Sequence, residues 1–160
     1  MARALSSAAF ASPTRAVAVS GSSTNTISFV TISTLGNSAD FGDSTYAGTH
    51  TAWGSNAIRG VSFGGELQPS GDKINVIEFA TIATLGNAVD FGDTIQSAVA
   101  EGSTMTSETR AVYCGGITPS GTNVIQYVQI MTTGDAVDFG ELTNGRGHGN
   151  ACSNAHGGLG

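Results

Sequence analysis

From Asn75 to Ile82 the side chains alternate with a period of two. Ile77, Phe79 and Thr81 fall on one face, and Val76, Glu78, Ala80 and Ile82 fall on the other. That period, filled mostly by Ile, Val, Phe and Thr, predicts a β-strand and not a helix. The pattern recurs as Ile27 and Phe29 against Val30 and Ile32, and as Ile125 and Tyr127 against Val128 and Ile130. Both faces carry apolar groups, so each strand is expected to be covered on two sides, since a sheet with one wet face alternates more cleanly. Leu35-Gly36-Asn37, Leu85-Gly86-Asn87 and Thr133-Gly134-Asp135 then read as tight turns that need positive φ. The strand after each turn holds Asp40-Phe41, Asp90-Phe91 or Asp138-Phe139, with the aromatic as its packing anchor.

These segments are copies of one unit. NTISFVTISTLGNSADFGD (25–43), NVIEFATIATLGNAVDFGD (75–93) and NVIQYVQIMTTGDAVDFGE (123–141) align without gaps, and eight of nineteen columns are identical in all three. Such a recurrence decides the architecture before any single motif does. A shorter strand precedes each copy and is led by Arg15, Arg59 or Arg110. Pro69-Ser70-Gly71 and Pro119-Ser120-Gly121 mark surface turns of variable length between the two. The chain therefore divides into repeat 1 (about 2–43), repeat 2 (about 44–93), repeat 3 (about 94–141) and a partial fourth (142–160), all in one domain spanning 1–160. Each repeat is expected to hold four short strands. Three units plus one terminal strand leave open edges, which invite pairing. Completion by self-association is the expectation, and a closed three-fold monomer of β-trefoil or β-prism type is the alternative.

Composition narrows the chemistry. Charged residues are 11% of the 160 positions, with 6 cations against 12 acidic residues for a net charge of −6. Nucleic acid needs clustered cations, and no run approaches the roughly 18 apolar residues of a membrane helix, so neither nucleic acid nor membrane is an expected partner. Asp-Phe-Gly occurs three times, but a kinase would also need a Gly-rich loop, a strand lysine and a catalytic loop, and Lys73 sits in a turn. The carboxylates three apart (Asp40 and Asp43, Asp90 and Asp93, Asp138 and Glu141) are expected to cap turns. His50, His148 and His156 fall in separate linkers. No catalytic residue, metal site or cofactor is expected, and the chain reads as a non-enzyme. Arg15, Arg59 and Arg110 repeat in register and are assigned structural roles, with a bidentate carboxylate of the Asp-Phe-Gly element as partner. One linker is atypical: Tyr46, His50 and Trp53 have no aromatic counterpart in the others. They are the candidate ligand-binding surface, suited to a glycan or a protein.

Two resemblances bear on these residues. An arginine-led strand ending in Gly64-Gly65 or Gly115-Gly116, then Phe79 or Tyr127, then Phe91 or Phe139, resembles the kelch repeat of β-propellers. The first unit departs from it with Ser20-Gly21, and Phe stands where kelch units carry Trp. In wording, the units and the closing Cys152-Ser153-Asn154-Ala155-His156-Gly157-Gly158-Leu159 are similar to tandem-repeat proteins of marine bacteriophages that infect cyanobacteria. The resemblance implies a virion or tail-fibre component involved in assembly or host attachment, extracellular and self-associating, with other virion proteins or a host glycan as partners. A carbohydrate-binding repeat module is the alternative function.

Overall fold

The computed structural model describes residues 8–19, 21 and 24–153. The start of repeat 1, Ser20, His156 and the rest of the closing segment lie outside the described residues. The fold is all-β and consists of three antiparallel sheets; in the first and third the spatial order follows chain order, and in the second the first two strands both pair with the third. Sheet 1 holds β1 (Ala8–Ala11), β2 (Arg15–Val19), β3 (Thr26–Thr31) and β4 (Ala39–Asp43). Sheet 2 holds the short β5 (Gly48–Thr49), then β6 (Ala52–Ser55), β7 (Arg59–Leu67), β8 (Lys73–Thr81) and β9 (Val89–Asp93). Sheet 3 holds β10 (Ser103–Thr106), β11 (Arg110–Cys114), β12 (Thr122–Gln129) and β13 (Val137–Arg146). Each sequence repeat thus yields one sheet, as its period-two strands and Gly-containing turns require.

The Asp-Phe-Gly phrase is a bulge. Ile27 pairs with Gly42 while Ser28 pairs with Asp40, so Phe41 is the extra residue on its strand, and the same shift recurs at Phe91 and Phe139. A bulge re-aims a side chain. Here it turns Phe41 and Phe91 into the cores. One core joins Val17, Ile27 and Phe41 of sheet 1 to Ala80, Ile82 and Ala88 of sheet 2. The second joins Val61, Phe63, Ile77 and Phe91 of sheet 2 to Tyr113, Val128 and Ile130 of sheet 3. Sheets therefore pack face on face in a row, and sheet 2 is covered on both sides.

Among the described residues no core cluster joins sheet 3 to sheet 1, so the row is open at both ends. This departs from the closed three-fold alternative. The expected extra strand also differs: residues 142–146 extend β13, and 147–153 form no strand. Ser153 nevertheless lies beside β10, where its hydroxyl accepts a 3.1 Å bond from Thr106.

Candidate functional site: the repeated sheet-to-sheet contact

The same contact is built twice. At the first junction Gly86 N–H donates to Phe41 O (2.8 Å) and Ala88 N–H to Asp43 O (2.7 Å), while Asp43 N–H donates to Asn87 Oδ1 (3.1 Å). At the second, Gly134 N–H donates to Phe91 O (2.8 Å), Ala136 N–H to Asp93 O (2.8 Å), and Asp93 N–H to Asp135 Oδ1 (3.0 Å). The outer edge strand of one sheet is thereby satisfied by the Gly-Asn or Gly-Asp turn of the next. Glycine is required in that edge strand, since Gly42 and Gly92 have φ of 145° and 150° and a Cβ there would overlap the facing turn.

The arginines complete the junction in a way that corrects the sequence reading. Arg15 lies over the Phe29 ring (4.9 Å to centroid) and Arg59 over Phe79 (4.3 Å). Their Nη1 groups donate across the junction to Ile82 O (2.7 Å) and Ile130 O (3.2 Å). No arginine–carboxylate pair forms among the described residues, whose close ion pairs all involve histidine. The carboxylates of Asp40, Asp90 and Asp138 lie on exposed residues, whereas the ring stack satisfies the guanidinium by cation–π attraction. Arg110 stacks on Tyr127 (4.8 Å) in the same manner and is exposed.

Both ends of the row show half of this contact. Ile32 is 54% exposed, whereas its repeat equivalents Ile82 and Ile130 are 1% and 0% exposed. At the opposite end Phe139 is 53% exposed against 2% for Phe41 and 3% for Phe91. A Cβ on Gly140 would meet nothing within 4 Å. Sheet 1 and sheet 3 therefore each leave exposed the side of this contact that is buried within the chain at the internal junctions.

Two buried polar residues that sequence reasoning missed also sit at the junctions. Glu78 Oε2 accepts bonds from the Thr45 amide (2.8 Å) and hydroxyl (2.7 Å). Burial pushes the Glu78 carboxyl above its usual range, and the Thr45 donors oppose that rise. Gln126, its equivalent in sheet 3, accepts from Ile95 N–H (2.9 Å) and donates to Gln96 (2.8 Å). The signal was present in the sequence: Glu78 and Gln126 are each the only polar residue on an otherwise apolar strand face.

Tyr46, His50 and Trp53 do not share one surface. Trp53 is buried at the first junction, stacked on Phe10 at 4.8 Å. Tyr46 donates its hydroxyl to Gly64 O (2.7 Å), and burial drives its phenol pKa upward. His50 instead faces Glu66 and Glu101, and its Nδ1 lies 3.0 Å from the Thr49 hydroxyl. The cysteines are free thiols, with Cys114 half-buried and Cys152 exposed.

No known protein family and no curated protein matches the chain.

Proposed function

We propose that this protein is a non-enzymatic structural and interaction module that assembles head to tail, the presenting face of one copy, on sheet 3, seating on the receiving face of the next, on sheet 1. The observation that carries this reading is the pair of exposed half-junctions, Ile32 at one end and Phe139 at the other, whose equivalents are buried inside the chain. Apolar groups kept at a junction register while open to water are the mark of an interface. In this reading the sheets are kelch-like blades of a propeller-like array. Joining unlike faces gives a ring if the rotation closes and a filament if it does not. The phrasing shared with marine phage repeat proteins favours a virion or tail-fibre setting, outside the cell, with assembly or host attachment as the role.

Complementary variants test the head-to-tail geometry. Ile32→Asp blocks the receiving face and Phe139→Asp the presenting face, so each alone should sediment as a monomer. Mixed, they retain one working face of each kind and should form a heterodimer that grows no further. Wild-type protein that stays monomeric at every concentration in sedimentation velocity would sink the reading.

A further inference from the structure

Two imidazoles and two carboxylates from four places in the chain meet beside β5 and β10. His50 lies between β5 and β6, Glu66 on β7, Glu101 just before β10, and His148 after β13. His50 Nδ1 is 3.8 Å from Glu66 Oε2, and its Nε2 is 3.9 Å from Glu101 Oε1. His148 Nδ1 is 2.7 Å from Glu101 Oε2. His50, Glu66 and Glu101 form the only group of three or more such residues, among those described, whose donor atoms all fall within 4.8 Å of one another. What positions them is a backbone ladder: Glu101 N–H donates to His50 O (3.0 Å) and His148 N–H to Glu101 O (2.8 Å).

We propose that His50, Glu66, Glu101 and His148 bind one divalent transition-metal ion, zinc by preference, which ties the segment after β13 to sheet 2. Three observations point to a cation and away from a plain ion-pair cluster. First, Glu101 Oε2 is buried and accepts no hydrogen bond, its close neighbour being His148 Nδ1 at 2.7 Å. A buried carboxylate oxygen is costly unless a cation meets it, and a metal ion held with His148 would do so. Second, an outer layer of partners already orients the donors, as metal sites require. The Thr49 hydroxyl holds His50 Nδ1 (3.0 Å), which leaves Nε2 free. Gln68 donates to that hydroxyl (3.3 Å) and to Glu66 Oε1 (3.4 Å), which leaves Oε2 free. Third, a polar cleft of about 310 Å³ opens onto His50, Glu101 and His148 and gives an ion access.

The donor chemistry selects the ion. Two nitrogens and two oxygens suit tetrahedral zinc with bonds of about 2.0–2.2 Å. Such bonds set the donors roughly 3.3 Å apart; one donor atom from each of His50, Glu66 and Glu101 already lies within 4.8 Å of the others, and His148 joins the group through Glu101 at 2.7 Å, so binding draws the four inward. Calcium, which takes six to eight oxygens, is excluded by the imidazoles. With four protein ligands no position is left for substrate, so the ion's role is structural.

Calorimetric titration of the tag-free, chelator-stripped chain with zinc chloride is the test, with thermal unfolding as a second readout. One zinc per chain is expected, with an unfolding midpoint that rises with zinc and not with calcium. Glu101→Gln and His148→Ala should each weaken zinc binding beyond about 100-fold, and Thr49→Val by about 10- to 100-fold. His148 is largely exposed, so its removal leaves the fold standing even should Glu101→Gln unfold it. Absence of zinc binding by the wild-type chain, or equal affinity in His148→Ala and wild type, overturns the site. Running the same titration on monomeric Ile32→Asp separates this result from any assembly the metal-free protein undergoes.

Discussion

Ile32, Ile82 and Ile130 occupy one repeat column, yet only the last two are buried. Alanine at each position therefore measures one chemical change in two environments. Removing a buried isoleucine to alanine costs about 2–5 kcal/mol, the lost transfer energy plus the cavity left behind. Ile82 packs among Val17, Ile27 and Phe41 across the first junction, so Ile82→Ala belongs in that range. Ile130 does so equally at the second junction. Ile32→Ala deletes side chain that water already reaches, and exposed substitutions usually stay within about 0.5 kcal/mol. For a chain of this length each kcal/mol moves the unfolding midpoint by about 2–4 °C. Ile82→Ala and Ile130→Ala should then lower it by several to about twenty degrees, and Ile32→Ala by two at most. Differential scanning fluorimetry and urea titration in dilute solution read this directly. At high concentration the order of sensitivity changes, because Ile32→Ala should weaken association while Ile82→Ala should not. Equal destabilisation by Ile32→Ala and Ile82→Ala in dilute solution would show that sheet 1 is already covered within one chain and that the row of sheets is not open.

Two further outcomes follow from the junctions. Gly42→Ala and Gly92→Ala combine an unfavourable φ with overlap on the facing turn, whereas Gly140→Ala meets only the former; urea unfolding should place the first two lower in stability than the third by at least about 1 kcal/mol, the scale of overpacking. Glu78 has a raised folded-state pKa, so its ionisation opposes folding: the native state is favoured below the unfolded carboxylate value of about 4.3, and stability is lost as pH rises from there through the folded value. Glu78→Gln, which copies the residue of the third sheet, should flatten that part of the stability–pH profile, and an unchanged slope would remove the buried charge from the explanation.

The repeat, its strands and the anchoring phenylalanines were legible because each rests on a local pattern that recurs three times. Phe41 and Phe91 entered the cores as the periodicity required, although the bulge that aims them is visible only once Ile27 is seen opposite Gly42. Opposite charge points the arginine to a carboxylate, whereas co-recurrence points it to an aromatic ring. An aromatic at 29, 79 and 127 accompanies the arginine in every unit, on the neighbouring strand and within reach of its side chain. Trp53 invited a surface role because its linker has no aromatic counterpart, but its strand neighbours place it against Phe10. The His50, Glu66, Glu101 and His148 cluster lay beyond sequence reasoning for a different reason. Its members come from three linkers and strand β7 and differ in residue type from unit to unit, so no column of the alignment exposes them.

The receiving face of sheet 1 is a moderated copy of the buried ones. Ser28 stands where Glu78 and Gln126 are buried, and Ser38 where Ala88 and Ala136 are buried, while Val30 and Ile32 keep the apolar character of the column. Serine at 38 lowers the cost of leaving that face in water, and the short serine at 28 cannot reach a facing linker as Glu78 reaches Thr45. A junction made with sheet 1 therefore lacks one side-chain bridge that the internal junctions possess, yet keeps its turn glycine, Gly36, and the Ile32 carbonyl for an arriving Arg110. Contacts of this kind are weaker than the internal ones by about one or two hydrogen bonds, each worth about 0.5–1.5 kcal/mol net. Association should accordingly be reversible and set by concentration. An array joined as proposed should therefore come apart between chains before any single chain unfolds, which dilution followed by sedimentation and thermal unfolding would check.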